Sequence, residues 1–318
     1  MNVSLICTVK NEADNIADLI ESMLGQSRPP DEIVINDCGS SDDTAAIVRR
    51  YIEQGAPIKL VSGGYNIPSG RNNAIRHASG PIIASTDAGL TLDPHWLERI
   101  VAPIERGEAD IVGGFYRPAP RSLFEMALGA TNYRDPEEVD GSRFLPAGQS
   151  VAFLKTAWEH VGGYPEWADH CEDLIFDRAL VQAGYRLVFE PQAVIWFRPR
   201  ASLRAFFRQY YFYARGDGIA GLWPKRHAIR YTSYMALLTV ALLARRRPVL
   251  LLLLIPGVAA YIYGPYRRLW RRTMSWSMFR RLTALALVPI IRLTGDIAKM
   301  IGYPVGLLLR SSRRPVEV

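Results

Sequence analysis

Three groups of carboxylates stand where an ordinary fold would need a reason to keep them. The run IIASTDAGLTLDPHW, residues 82–96, reads as an apolar strand that delivers Asp87 at its end, with only Ala88 and Gly89 behind it. Asp93, just before Pro94, is explained as a helix N-cap. Asp87 caps nothing obvious, and burying it unpaired would be costly. It therefore needs a cation, a donor or water. Asp37 ends a second strand, EIVIND, and can accept from a base imide or a ribose hydroxyl. Glu172 and Asp173 open the amphipathic stretch EDLIFDRALVQAGYR. Acids in a first helical turn can simply answer the helix dipole, but they can also serve as a general base beside an acceptor hydroxyl. Together these groups suit an enzyme that handles a nucleotide diphosphate. A divalent cation needs hard oxygen ligands, and Mg²⁺ commonly takes only one or two carboxylates, with phosphate and water completing its shell. Gly89 would let a diphosphate approach the backbone closely.

The elements that must position these residues are legible as alternation. VSLICTV is followed by a helical stretch at 14–24, EIVIND by 42–52, IKLVSG by 72–78, PIIAST by 94–104, and then comes ADIVGGF. Apolar strands separated by helices predict a mostly parallel sheet covered on both faces. Such a sheet binds ligands beyond the carboxyl ends of its strands. The polar clusters KNE, DCGSSDD and TDAG fall at those ends. No GxGxxG follows the first strand and no GxxxxGK[ST] occurs, which argues against a dinucleotide-dependent oxidoreductase and a P-loop ATPase. The segment GQSVAFLKTAWEHVGGYPEW is rich in glycine and aromatics; it reads as a wall for a sugar and its acceptor, with Gly148, Gln149 and Ser150 on the acceptor side, or as plain core aromatics.

The 318 residues hold one large domain plus an appendage, and the charge is divided unevenly between them. Residues 1–224 carry 21 Lys+Arg against 29 Asp+Glu, while residues 225–318 carry 17 against 2. A basic tail whose arginine clusters alternate with apolar runs fits anionic lipid headgroups better than nucleic acid. The runs at 231–244 and 248–264 are shorter than a simple membrane span, and Pro256-Gly257 would break the second. The run at 282–309 carries Arg292, Asp296 and Lys299 on one helical face, which predicts an interfacial helix or a packed transmembrane helix with internally paired charges. The expectation is a catalytic domain over 1–224, a linker near 222–230, and a membrane-associated helical region over 225–318. Cys7, Cys38 and Cys171 show no metal spacing and read as reduced thiols. Met1 leads directly into a strand and not a signal peptide, so the domain is expected to face the cytoplasm at the cell membrane.

In order along the chain, TVKNE, NDCGSSDDT, SGRNNAIRHASG, STDAG with DPHWL, GQSVAFLKTAWEHVGGYPE and CEDLIFDRALVQAGYR resemble the family 2 glycosyltransferases of GT-A fold. The resemblance covers about residues 1–220. It implies a GT-A, Rossmann-like mixed, mostly parallel sheet flanked by helices, and inverting transfer of a sugar from a nucleotide-sugar donor, with a UDP-sugar as the expected donor and Mg²⁺ or Mn²⁺ as the expected cation. The acceptor would be a lipid-linked or cell-envelope glycan. By matching position, Val9, Asn11, Glu12 and Asp37 would hold the nucleoside, and Arg71 and Asn72 would lie beside it. Asp87 would be the metal ligand and Asp173 the catalytic base. Glu172 would sit on the acceptor side. Arg215, in RQYYFYARGDG, would reach the donor diphosphate. The second aspartate of the family's Asp-x-Asp motif is Gly89 in this chain. Two other readings stand beside this one. A sugar nucleotidyltransferase would need a basic, glycine-rich loop where this chain has KNEADN, and a silent scaffold would not need Asp37, Asp87 and Asp173 together.

Overall fold

The computed structural model describes residues 1–313, with side chains through residue 310. By packing it divides into two units, each drawn from two stretches of chain. The first is Met1–Arg117 with Pro136–Arg198, and the second is Pro118–Asp135 with the chain from Pro199 onward.

The first unit is a mixed α/β layer structure. Its strands are β1 (Val3–Val9), β2 (Glu32–Asp37), β3 (Ile58–Ser62), β4 (Ile82–Asp87), β5 (Leu90–Leu92), β6 (Ile111–Pro118), β7 (Ser150–Leu154) and β8 (Leu187–Phe197). Its helices are α1 (Ile16–Leu24), α2 (Thr44–Glu53), α3 (Ile67–His77), α4 (Trp96–Glu105), α6 (Lys155–His160) and α7 (Glu172–Gln182), whereas α5 (Leu123–Asn132) belongs to the second unit. The strand order is β3-β2-β1-β4-β7-β6-β8-β5. The expectation of a mostly parallel sheet needs correction. β3, β2, β1 and β4 are parallel, but β7 runs antiparallel to both β4 and β6, and β5 antiparallel to β8. The short β5 and the long, only partly buried β8 lack the continuous apolar run that marks the central strands.

Alternation along β1 and β4 sends side chains to two cores. Val3, Leu5, Cys7, Ile82 and Ala84 pack with Ile16, Ile20, Trp96 and Ile100 on the α1 and α4 face. Ile6 and Ile83 pack with Ala74, Ile75, Phe153, Trp158, Tyr164 and Phe176 on the α3, α6 and α7 face. The pleat puts Ser85 and Asp87 on the same face as Ile83, toward α3 and α7.

Two helix starts differ from the sequence reading. α3 begins at Ile67, five residues before the expected Asn72, because Asn66 and Ser69 form a reciprocal capping box and Pro68 fits the first turn. α4 begins at Trp96, and Asp93 makes the turn ahead of it, accepting from His95 N at 3.0 Å.

The second unit is helical. It holds α5, α8 (Leu203–Ala220), α9 (Pro224–Ala244), a 3₁₀ turn at Pro248–Leu253, α10 (Leu254–Arg272) and α11 (Met278–Arg313). α8 lies close along α11 because glycines allow it. A Cβ on Gly302 would meet Tyr211 O at 2.3 Å, and one on Gly306 would meet Arg215 O at 2.1 Å. The division by packing is thus not the division by composition: α5 and α8 go with the basic helices. Ala127, Leu128, Ala130, Phe206, Leu269, Val288 and Ile291 form one core. No boundary between the units falls at the expected linker: residues 221–223 are the turn joining α8 to α9 within the second unit, where Gly221 and Trp223 both take positive φ. Pro256-Gly257 does not break the chain; it lies in the first turns of α10. The charged face of α11 is packed against its neighbours, and its acid is paired. Asp296 accepts from Arg230 Nε at 2.9 Å and from the hydroxyls of Tyr234 and Tyr261.

Candidate active site

Asp87 finds its cation in Arg71. Arg71, on α3, donates from Nη2 to Asp87 Oδ1 at 2.6 Å and from Nη1 to Glu172 Oε1 at 2.7 Å. It is a fully interior guanidinium, 3 % exposed at its side chain, with the Tyr164 ring 5.5 Å below it. Burial works against its charge, and Asp87 and Glu172 more than offset this, so the guanidinium is held protonated more firmly than usual. Gly148 makes room for it. A Cβ there would stand 2.6–2.8 Å from the guanidinium atoms. The same residue's N–H donates to Asp173 Oδ2 at 3.2 Å, and its carbonyl accepts from Ser85 Oγ at 3.0 Å.

α7 therefore brings two acids to this point from its first turn, after Cys171 turns the chain in the left-handed region at φ 65°. Asp173 Oδ1 also accepts from the N–H of Leu174 at 2.8 Å. Asp177, one turn further on, is fully interior, and no hydrogen bond reaches its Oδ2 among the described residues; the same is true of Tyr164 Oη and Arg71 Nε. Two carboxylates, Asp87 and Glu172, thus pair with one guanidinium, and Asp173 and Asp177 lie on the same helix as Glu172. Burial, then Asp173, push the Glu172 carboxyl up to about 7 against the pull of Arg71. Burial and Asp173 push Asp177 up as well.

Beyond β1 and β2 lies a second polar group. Asn11 takes φ 56°, its N–H donates to Ser40 Oγ at 2.9 Å, and its Oδ1 accepts from Ser41 N at 2.8 Å. Asp37 Oδ1 accepts from the N–H and hydroxyl of Ser40, at 2.9 and 2.6 Å. Glu12 is fixed by its own N–H, which donates to Thr44 Oγ1 at 2.8 Å. Val9 is buried in the core, and its carbonyl accepts from Cys38 N.

Some residues singled out in the sequence are spent on structure. Asn72 is 2 % exposed and uses its whole amide: Oδ1 accepts from Trp158 Nε1 and Tyr164 N, and Nδ2 donates to Tyr164 O and Glu166 Oε1. It holds the 164–166 turn and presents nothing to a nucleotide. Ser150 is fully buried and accepts from Trp96 Nε1 at 2.9 Å, so it anchors β7 and does not face an acceptor. Gln149, beside it, is half-buried. Arg71 itself is an internal tie and not a surface contact. Arg215 belongs to the second unit, where its guanidinium lies 4.7 Å over the Phe212 ring. Tyr164 and Asp177 escaped the sequence reading; the i, i+4 spacing of Asp173 and Asp177 was the one available sign.

The fit to a divalent cation can be judged from the donors present. Among the described residues no three His, Cys, Asp or Glu side chains gather to hold a metal by themselves. Asp87 remains about a third exposed with one oxygen taken by Arg71, and Gly89, at φ 74°, leaves open space that a Cβ would fill. This suits a cation brought with a diphosphate and not one held by protein alone.

An α/β sheet with acids converging beyond its parallel strand ends is the layout of nucleotide-sugar-binding GT-A proteins. Comparison with known proteins agrees. Residues 4–150 match the family model described as glycosyl transferase family 2. The chain is 28 % identical over 197 residues to the glycosyltransferase AglE of Haloferax volcanii, covering 59 % of this chain and 64 % of that one. It is 29 % identical over 221 residues to the succinoglycan biosynthesis protein ExoA of Rhizobium meliloti, covering 65 % and 66 %. The match thus spans just under two thirds of each relative's length. The fold is similar to that of the mannosyltransferase PcManGT from Pyrobaculum calidifontis, solved with GDP-Man and Mn²⁺, at a TM-score of 0.55 and 19 % identity over 98 % of this chain and 87 % of that one. Residues 4–150 thus match the glycosyl transferase family 2 model, and the fold of the chain is similar to that of a mannosyltransferase.

Proposed function

We propose that the chain is an inverting glycosyltransferase that moves a sugar from a nucleotide-sugar donor to a lipid-linked or cell-envelope glycan acceptor at a membrane. One observation carries this reading. Asp87 and the adjacent Glu172 and Asp173, from two segments far apart in sequence, meet around Arg71 and Gly148 beyond the strand ends. The sheet alone would account for one such acid, not for three.

The geometry supports the following roles. Asn11 and Asp37 sit at the tips of β1 and β2, where a nucleoside fits, and the second oxygen of Asp37 is available to a ribose or base donor. Asp87 would hold Mg²⁺ or Mn²⁺ together with the donor diphosphate, and such a cation neutralises the charge that builds on the leaving group. Asp173 is the base. Its two oxygens are aimed by the N–H groups of Gly148 and Leu174, which orient the carboxylate without neutralising it. It takes the proton from the acceptor hydroxyl as that oxygen attacks the anomeric carbon from the side opposite the diphosphate. Glu172, on Arg71, fixes the start of α7 and lies on the acceptor side. The relatives' names, which include succinoglycan synthesis, support an envelope polysaccharide as the acceptor class.

Membrane attachment is assigned to the second unit. Pro248–Arg272 is long and apolar enough to cross a bilayer, and Leu251, Leu252, Leu253, Ile255 and Val258 are exposed along it. Arg245, Arg246, Arg247, Arg271 and Arg272 flank it, as anionic headgroups would favour. We assign the catalytic unit to the cytoplasmic side, where nucleotide sugars would reach it.

A thermal-shift panel of UDP, GDP and their sugar conjugates, with and without Mn²⁺, tests the reading. At least one nucleoside diphosphate is expected to raise the melting midpoint, more so with Mn²⁺; UDP is the first candidate and GDP the second. No shift from any nucleotide would remove the assignment.

A further inference from the structure

Glu12 reaches the space over Gly89. A Cβ built on Gly89 would have one heavy-atom neighbour within 4 Å, the Oε2 of Glu12 at 4.0 Å. The sheet explains the meeting. β1 and β4 are adjacent and parallel with Thr8 opposite Asp87, so the segments that leave both strands run side by side. Glu12 is also held in place. Its carbonyl accepts from Asn15 N and Ile16 N, both at 2.9 Å, and its Oε2 accepts from Asn15 Nδ2 at 3.1 Å. Asp87 is held similarly, with Oδ1 on Arg71. Each carboxylate therefore has one oxygen aimed by a protein donor, and no hydrogen bond reaches the other oxygen among the described residues.

We propose that Glu12 is a cation-site residue and not a nucleoside contact: it supplies the second carboxylate, from the tip of β1, to the divalent ion that Asp87 receives with the donor diphosphate. The proposal rests on the glycosyltransferase reading and assigns a ligand within that same site. Its physical basis is a shortage of negative charge on the exposed rim. Asp87 already shares its carboxylate with Arg71, which weakens it as a sole ligand. A small hard cation can take a second carboxylate oxygen beside the phosphate oxygens and water. Position 89 lies at φ 74°, a backbone region costly to most side chains. Supplying the oxygen from the neighbouring strand end leaves that residue a glycine and keeps the backbone open to the diphosphate.

The test is Mn²⁺ binding by the full-length protein, followed by electron paramagnetic resonance, with UDP or GDP present. Glu12→Gln is expected to weaken Mn²⁺ in that complex at least about tenfold. Metal-free binding of UMP or GMP, followed by calorimetry, is expected to stay at the wild-type value. Adding Gly89→Asp to Glu12→Gln is expected to recover most of the Mn²⁺ affinity. Adding Gly89→Asn, which makes the same backbone demand without a charge, is expected to recover none. Unchanged Mn²⁺ affinity in Glu12→Gln would overturn the proposal, as would an equal loss of metal-free UMP or GMP binding. A wild-type protein that takes neither UDP nor GDP, with or without Mn²⁺, overturns the glycosyltransferase reading instead, and this proposal with it.

Discussion

Arg71 is the residue on which the site turns. It is the positive charge that lets Asp87 and Glu172 stand close together, and the sequence, which placed Arg71 only beside the nucleoside, hid that pairing. The sequence marks Asp87 as needing a partner, but that partner lies 16 residues upstream and its other contact lies 101 residues downstream. Nothing local reports a meeting at that distance. Removing this charge leaves two carboxylates uncompensated, so Arg71→Met is expected to cost about 3–5 kcal/mol in chemical denaturation. A loss below about 1 kcal/mol would mean the ion pairs are not buried as described. Glu172 yields a pH prediction. Its carboxyl titrates at about 7 in the fold, against the ordinary glutamate range near 4.3 in the unfolded chain. Between those values the folded state binds more protons than the unfolded one, so stability falls as pH rises and levels off above about 7. Burial pushes Asp177 in the same direction. Melting midpoints measured from pH 5.5 to 8 are expected to decline, and Glu172→Gln is expected to flatten that decline. An equally steep decline in the variant would show that Glu172 is ionised throughout.

At the scale of elements, α3 is the part that builds the site, and it is where sequence and structure part most clearly. NIPSGR, ahead of the expected helix, looks like a loop, because Pro, Ser, Gly and Asn are turn residues. The structure makes it the first two turns of a helix. Asn66 closes the capping box, and Gly70 is there for contact: a Cβ on it would meet Thr8 at 2.5 Å and Cys38 at 2.6 Å. Close packing on the strands of the sheet overrides local propensity here. By contrast, the strands β1, β2 and β4 and the helices α1, α2 and α4 were readable within a residue or two, because their apolar periods are strong. The antiparallel half of the sheet was less readable, since its strands are partly exposed or very short. Asn66 also donates from Nδ2 to Glu166 O at 2.8 Å, joining the helix start to the turn before α7. Asn66→Ala is therefore expected to cost about 1–2 kcal/mol. Faster hydrogen exchange should appear at 164–169 as well as at 67–71. Change confined to 67–71 would mean that the cap acts on α3 alone.

At the scale of the whole molecule, the two units are interleaved in sequence, and this changes how the chain can be cut. The composition break near 224 suggests a soluble fragment, but α5 packs with α10 and α11 residues such as Leu269 and Val288. Residues 1–224 expressed alone are expected to aggregate, because α5 and α8 lose their partners. The full-length chain is expected to stay with membranes through a carbonate wash; recovery without detergent in the supernatant would contradict the membrane assignment. The central claim is that this chain transfers a sugar with Asp173 as base, and it is tested by comparing the wild type with Asp173→Asn. Asparagine keeps the size and polarity of the side chain but cannot take a proton. The measurement pairs nucleotide affinity by calorimetry with nucleoside-diphosphate release from a nucleotide sugar in the presence of a lipid-linked glycan extract. The account predicts wild-type affinity and a release rate lower by roughly 10²-fold or more. Near-wild-type release by Asp173→Asn would contradict it.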